Sequence, residues 1–166
     1  MLNTMRKNKE RRVRAERIYD ILTARAREPV FFERFGVKDS LDGRFDLVAL
    51  HAWLVLERLK GDALLSQALI DTIFTGFDEA LRELGAGDIG IGRRVKKLAD
   101  AFYGRLQAYG AAKDEAGMEA ALVRNLYRGS PAPGAKAVAR YVWRARAQLE
   151  SWQDGEPRFG PLPDEE

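Results

Sequence analysis

The stretch FDLVALHAWLVLERL, residues 45–59, constrains this chain more than any other part of it. Its apolar residues, Phe45, Leu47, Val48, Leu50, Trp53, Leu54, Val55, Leu56 and Leu59, fall nearly all round a helix, leaving no polar face for solvent. A helix of that kind belongs at the centre of a fold, enclosed by others. The rest of the chain supplies them. Leu65, Leu69, Ile73, Phe77, Leu81 and Leu84 recur every three to four residues, as do Ile91, Val95, Leu98, Phe102, Leu106 and Tyr109. Shorter series run through Ile18, Ile21 and Leu22, through Met118, Leu122 and Leu126, and through Val138, Val142, Ala145, Leu149 and Trp152. This is the period of one helix face, and no alternating run of convincing length competes with it. The expected fold is all-α, a single compact domain of six or seven helices with a basic first helix.

Breakers and caps divide the chain. A first helix is expected from about Arg6 to Arg27, then a short apolar piece after Pro29, with Asp42 placed to cap the central helix. Gly61 ends that helix, and Asp62 caps a longer one reaching Leu84. Gly85 suits a left-handed helix stop. Asp88 or the glycines beyond it start the next helix, and Asp114 opens a shorter one. RGSPAPG breaks the pattern before a last helix from Ala135 to Trp152. The helical domain is expected over 1–153, with 1–17 as a basic arm and 154–166 as a loose acidic tail.

Several chemistries are excluded. With no cysteine and only His51 as histidine, thiolate catalysis, Cys-based zinc sites and multi-histidine metal sites have no ligands. Gly85-Ala86-Gly87-Asp88-Ile89-Gly90 has the form G-x-G-x-x-G, but it follows a helix rather than a strand and lacks a βαβ setting. Asp39, Asp42 and Asp46 do not have EF-hand spacing. Asp71 and Asp78 share a helix face, where pairing such as Asp78 with Arg82 is the simpler account than acid–base work. His51, in the apolar segment, reads as a packed, hydrogen-bonded side chain. No cofactor, metal or enzymatic activity is expected.

Charge is unevenly spread. Between Met1 and Arg27 nine Lys/Arg face three carboxylates, while the remaining chain is net acidic. Arg6, Lys7, Lys9, Arg11, Arg12, Arg14 and Arg17 therefore form an arm suited either to an anionic surface or to plain solvation. Arg93, Arg94, Lys96 and Lys97 crowd the start of a helix, against the preference of its dipole. That placement points to an external anionic partner or to balance by the preceding acidic helix. No recognition-helix arrangement for sequence-specific DNA binding stands out. No secretory signal is seen, and LVALHAWLVL is too short for a bilayer core of about 30 Å. The expected location is cytoplasmic, with a peripheral place on the inner membrane left open.

Three blocks, LDGRFDLVALHAWLVLERLK, LIDTIFTGFDEALRELGAGDIGIGRRVKKLADAFYGRLQAY and LVRNLY, resemble the ubiquinol–cytochrome c chaperone family, over about Ile18 to Arg128. That resemblance implies a non-enzymatic assembly factor for ubiquinol–cytochrome c reductase, respiratory complex III. In mitochondria the related protein works with a small partner protein, associates with the ribosome near its tunnel exit and holds newly made cytochrome b. Its shortness and lack of an evident transit peptide make this chain look like a bacterial member. The contact surface implied by the matching positions comprises Asp42, Gly43, Asp46 and His51, then Asp71, Asp78, Arg82 and Glu83. It continues through Gly87, Asp88, Gly92, Arg93, Arg94, Lys96, Lys97, Tyr103, Gly104 and Arg105. A general ribosome- or RNA-binding helical module without a cytochrome b client is the alternative reading.

Overall fold

The structure is a computed structural model that describes residues 1–85 and 87–164, without the side chain of Asp88. Seven helices and no strands occur among these residues: α1 (Leu2–Ala26), α2 (Val30–Glu33), α3 (Leu41–Arg58), α4 (Ala63–Glu83), α5 (Asp88–Ala111), α6 (Glu115–Asn125) and α7 (Ala135–Glu150). The all-α expectation holds, and the helix with no polar face is the centre. α3 packs against α1, α5 and α7 at once, burying side chains round its whole circumference. α1 lies along α4, α4 along α5, and α6 along α7. The core includes Leu47, Leu50 and Leu54 of α3, Ile18 and Leu22 of α1, Ile73 of α4, Phe102 of α5 and Val142 of α7.

Local chemistry sets most boundaries. The Asp62 carboxylate accepts a hydrogen bond from the Leu65 amide at 3.0 Å, and Asp114 accepts from the Gly117 amide at 2.7 Å. Both aspartates satisfy an amide that the helix itself leaves unpaired. Gly85 closes α4 at φ +83°, the left-handed conformation that glycine alone adopts freely. One cap differs from expectation. α3 begins at Leu41 because Ser40 is its cap, its hydroxyl accepting from the Gly43 amide at 3.1 Å. Asp42 therefore sits in the first turn, its side chain free to meet Arg128 at 3.4 Å. Gly43 has a purely structural reason to be glycine. A Cβ there would stand 1.9 Å from the Lys38 carbonyl oxygen.

The C-terminal segment lacks regular structure, as expected, yet it is not loose along its described length. Phe159 is buried, with its ring 5.4 Å from His51. Arg25 of α1 donates to the Gly160 carbonyl at 2.5 Å, and Arg144 of α7 donates to the Leu162 carbonyl at 3.1 Å. Arg17 pairs with Glu156. Guanidinium groups spaced along two helices satisfy the backbone oxygens that a segment without secondary structure leaves open. Glu165 and Glu166 lie outside the described residues.

Candidate functional site

A groove of about 710 Å³ lies where the C-terminal half of α1, the start of α3, the end of α4 and α5 as far as Arg105 converge. Its floor is apolar: Ala26, Phe45, Val48, Phe77, Leu81, Leu98 and Ala101. Phe45 and Phe77 pack 5.1 Å apart, and Phe77 meets Phe102 edge-on at 6.2 Å, so core aromatics hold the floor in place. Leu41 and Leu84 stand at the rim, 53% and 62% exposed. The charged lining is dominated by cations, Arg27, Arg44, Arg94, Lys97, Arg105 and Arg128, against the carboxylates Asp42 and Glu83. An apolar floor beneath a cationic rim fits an apolar segment flanked by acidic or otherwise anionic groups.

Beneath the rim lies Asp46. Its carboxylate is fully buried and accepts from Arg128 Nε at 2.8 Å and Nη2 at 3.2 Å, with Arg105 Nε 2.9 Å away. Burial pushes the Asp46 carboxyl up, and the two guanidinium groups pull it back toward the charged form. One buried carboxylate thus fixes two groove cations from different elements, α5 and the α6–α7 connection. Arg128 adopts φ +54°, unusual for a residue with a side chain. Its ion pair with Asp46 compensates for that backbone conformation. The Arg105 guanidinium also lies 5.5 Å over the Phe45 ring, joining floor and rim.

The structure brings together only part of the expected surface. Asp42, Glu83, Arg94, Lys97 and Arg105 line the groove. Asp46 and His51 do not belong to any contact surface in this structure, because both are fully buried. Asp71 is exposed elsewhere on α4 and accepts from Gln67 at 2.9 Å. Asp78 and Arg82 make the expected pair along α4 at 3.0 Å, outside the groove. Arg93 and Lys96 are exposed on α5 without lining it, and Tyr103 is 48% exposed, packed edge-on against Phe74 and Phe102. The Asp88 side chain lies outside the described residues. Of the arm, Arg6 pairs with Glu10, Arg12 with Glu16 and Arg17 with Glu156, while Arg14 stacks over Trp152 at 5.8 Å.

Sequence reasoning missed Arg27, Arg44 and Arg128, and it read the floor residues only as core. Nothing in the sequence tied Arg128 to Asp46.

His51 is held from three sides. Its Nδ1 lies 2.8 Å from the Leu47 carbonyl oxygen, which can only accept, so Nδ1 carries the proton. Nε2, 2.8 Å from the Tyr141 hydroxyl, then accepts. The Phe31 ring is 5.4 Å from the imidazole, edge-on. Burial lowers the His51 pKa from 6.5 to about 4, with nearby Arg25 acting in the same sense. The neutral, doubly satisfied imidazole is a core residue.

The family described as Ubiquinol-cytochrome C chaperone matches residues 33–160. This chain belongs to that family. The match runs through α7 and into the C-terminal segment, beyond Arg128 where the resemblance was first drawn. The chain is also similar to ubiquinol-cytochrome-c reductase complex assembly factor 1 of Xenopus laevis, at 23% identity over 121 residues. That similarity covers 69% of this chain and 60% of the relative's own length. Among solved structures, that of the Cbp3 homolog from Brucella abortus matches with a TM-score of 0.79 and 38% identity, covering 92% of this chain and 90% of that one. This ubiquinol–cytochrome c chaperone family member thus has an all-helical fold shared with a bacterial relative.

Proposed function

We infer that this family member is a non-enzymatic assembly chaperone that binds newly made cytochrome b and supports assembly of ubiquinol–cytochrome c reductase. The observation that carries this reading is the apolar groove with its cationic rim, set in a chain of this family. A membrane-protein segment outside the bilayer exposes apolar side chains that favour association with any apolar surface. The floor from Phe45 to Leu98 supplies such a surface, and the rim cations hold carboxylates flanking the segment. Holding a client requires no covalent step. The exposed cations Arg93 and Lys96 lie outside the groove and suit a separate anionic partner, such as ribosomal RNA near the tunnel exit. Acting on cytochrome b also places the protein peripherally at the membrane.

Gene deletion with measurement of assembled complex III and cytochrome b tests the reading. Loss of the complex is expected, and normal levels of both would sink it. A photo-crosslinking residue at Leu84 or Lys97 is expected to capture cytochrome b, whereas one at Asp71 is not. Capture of ribosomal RNA alone from the groove positions would favour a general ribosome-binding module.

A further inference from the structure

The first half of α1 has no part in the groove or the core. Its buried positions begin at Ala15 and Arg14 already stacks on Trp152, so the thirteen residues before Arg14 project past the bundle. On this projecting part Leu2, Met5 and Val13 are 85%, 64% and 52% exposed. At 100° per residue these three share one face with Lys9, while Ala15, Ile18, Leu22 and Ala26 form the face turned to the bundle. Arg6 and Arg12 flank the apolar stripe on either side. Three apolar side chains exposed on the outer face of a strongly basic helix have no explanation in packing. We propose that this face of α1 docks in the plane of an anionic phospholipid bilayer, with Leu2, Met5 and Val13 in the acyl boundary and the flanking cations at the headgroups.

The side-chain chemistry favours a bilayer over a nucleic acid. Phosphate contacts to RNA gain nothing from Leu2, Met5 or Val13, and residues 1–17 contain no aromatic ring to stack on a base. A basic helix with a narrow apolar stripe instead binds reversibly at a lipid interface, by partial burial together with attraction to anionic headgroups. Lys9, inside the stripe, can lay its methylenes along the apolar face and raise its ammonium to the headgroups. Glu16 and Asp20 occupy the same face further along, so the contact ends near Val13.

The docking also orients the groove. Met5 and Thr23 are eighteen residues apart, as are Lys9 and Arg27, which is five helical turns and roughly 27 Å. Thr23 and Arg27 line the groove, so the bilayer-facing side of α1 is the side on which the groove opens. This surface is distinct from the groove and stands whether or not cytochrome b is the client.

Co-sedimentation of the full chain with vesicles of phosphatidylglycerol and phosphatidylethanolamine tests the proposal, with phosphatidylcholine vesicles and an RNA oligonucleotide as comparisons. Binding to the anionic vesicles alone is expected, weakened by salt. The double variant Met5→Glu, Val13→Glu should bind them about tenfold or more weakly, with unchanged circular dichroism and melting because both positions are exposed. Lys7→Gln, on another face, should change binding by only a few-fold. Failure to bind anionic vesicles, equal binding by the double variant, or binding to RNA without binding to vesicles would each overturn the proposal.

Discussion

Because His51 is the protein's sole histidine, its protonation is a direct probe of the core. The folded-state pKa is lowered from 6.5 to about 4, whereas the unfolded chain takes up a proton near 6.5. The neutral form therefore contributes stability that is present above pH 6.5 and lost as pH falls toward 4. The full shift corresponds to about 3 kcal/mol, and linkage places about 2 kcal/mol of that loss between pH 7 and pH 5. Asp46 acts in the opposite sense. Its folded-state pKa is raised above 3.8, so its protonation favours the fold on acidification below its folded value. The histidine contribution is thus isolated by comparing slopes with a His51→Gln variant, which lacks the titrating group. Urea unfolding at pH 7, 6 and 5 should show stability falling more steeply in the parent by about 2 kcal/mol. In NMR, the single imidazole Cε1–H resonance should stay at its neutral position throughout the folded protein's range above pH 5. A midpoint near 6.5 in the folded state, or identical slopes for parent and variant, would refute the reasoning.

Gly43→Ala forces a Cβ to within 1.9 Å of the Lys38 carbonyl oxygen, a backbone atom that cannot swing aside. Thermal melting should show a loss of about 2 kcal/mol or more. Asp46→Ala leaves Arg105 and Arg128 of the groove lining without their shared carboxylate; since Arg128 is 46% exposed, chemical denaturation should show a loss of about 2 kcal/mol, less than a fully buried pair would lose. The same variant should weaken client crosslinking from Lys97, while the more distant Phe159→Ala should not. Phe159→Ala removes the ring that closes the C-terminal segment over His51, and limited proteolysis should then cut between Gln153 and Pro161 well before the helices.

Much of the architecture was legible because its causes are local. Asp62 and Asp114 cap their helices through amides three residues away, and Gly85 stops α4 through its own φ. The error at α3 came from competition within two residues: Ser40 and Asp42 are both good caps, and the extended backbone at Ser40 decides between them. The C-terminal segment was misread as loose because it lacks periodicity. Its anchors are arginines from α1 and α7, and no local pattern links Arg25 to Gly160. The site was less legible than the fold. Charged residues in the resembling blocks were grouped by proximity in sequence, yet Arg94 and Lys97 reach the groove while Arg93 and Lys96, on the same helix, do not. The helix turns 100° between neighbours, so adjacent cations serve different surfaces.

By itself the sequence determined that this chain is helical, that residues 45–59 lie at its centre, where most helices begin and end, and which family it resembles. Hydrogen bonds between near neighbours and the periodicity of apolar side chains are enough for that. Only the tertiary structure decided which aspartate is buried, which arginines share it, and that Leu81, Leu98 and Phe45 line one groove. Those outcomes depend on how helices distant in sequence pack round α3, and burial and charge are set by whichever neighbours that packing supplies.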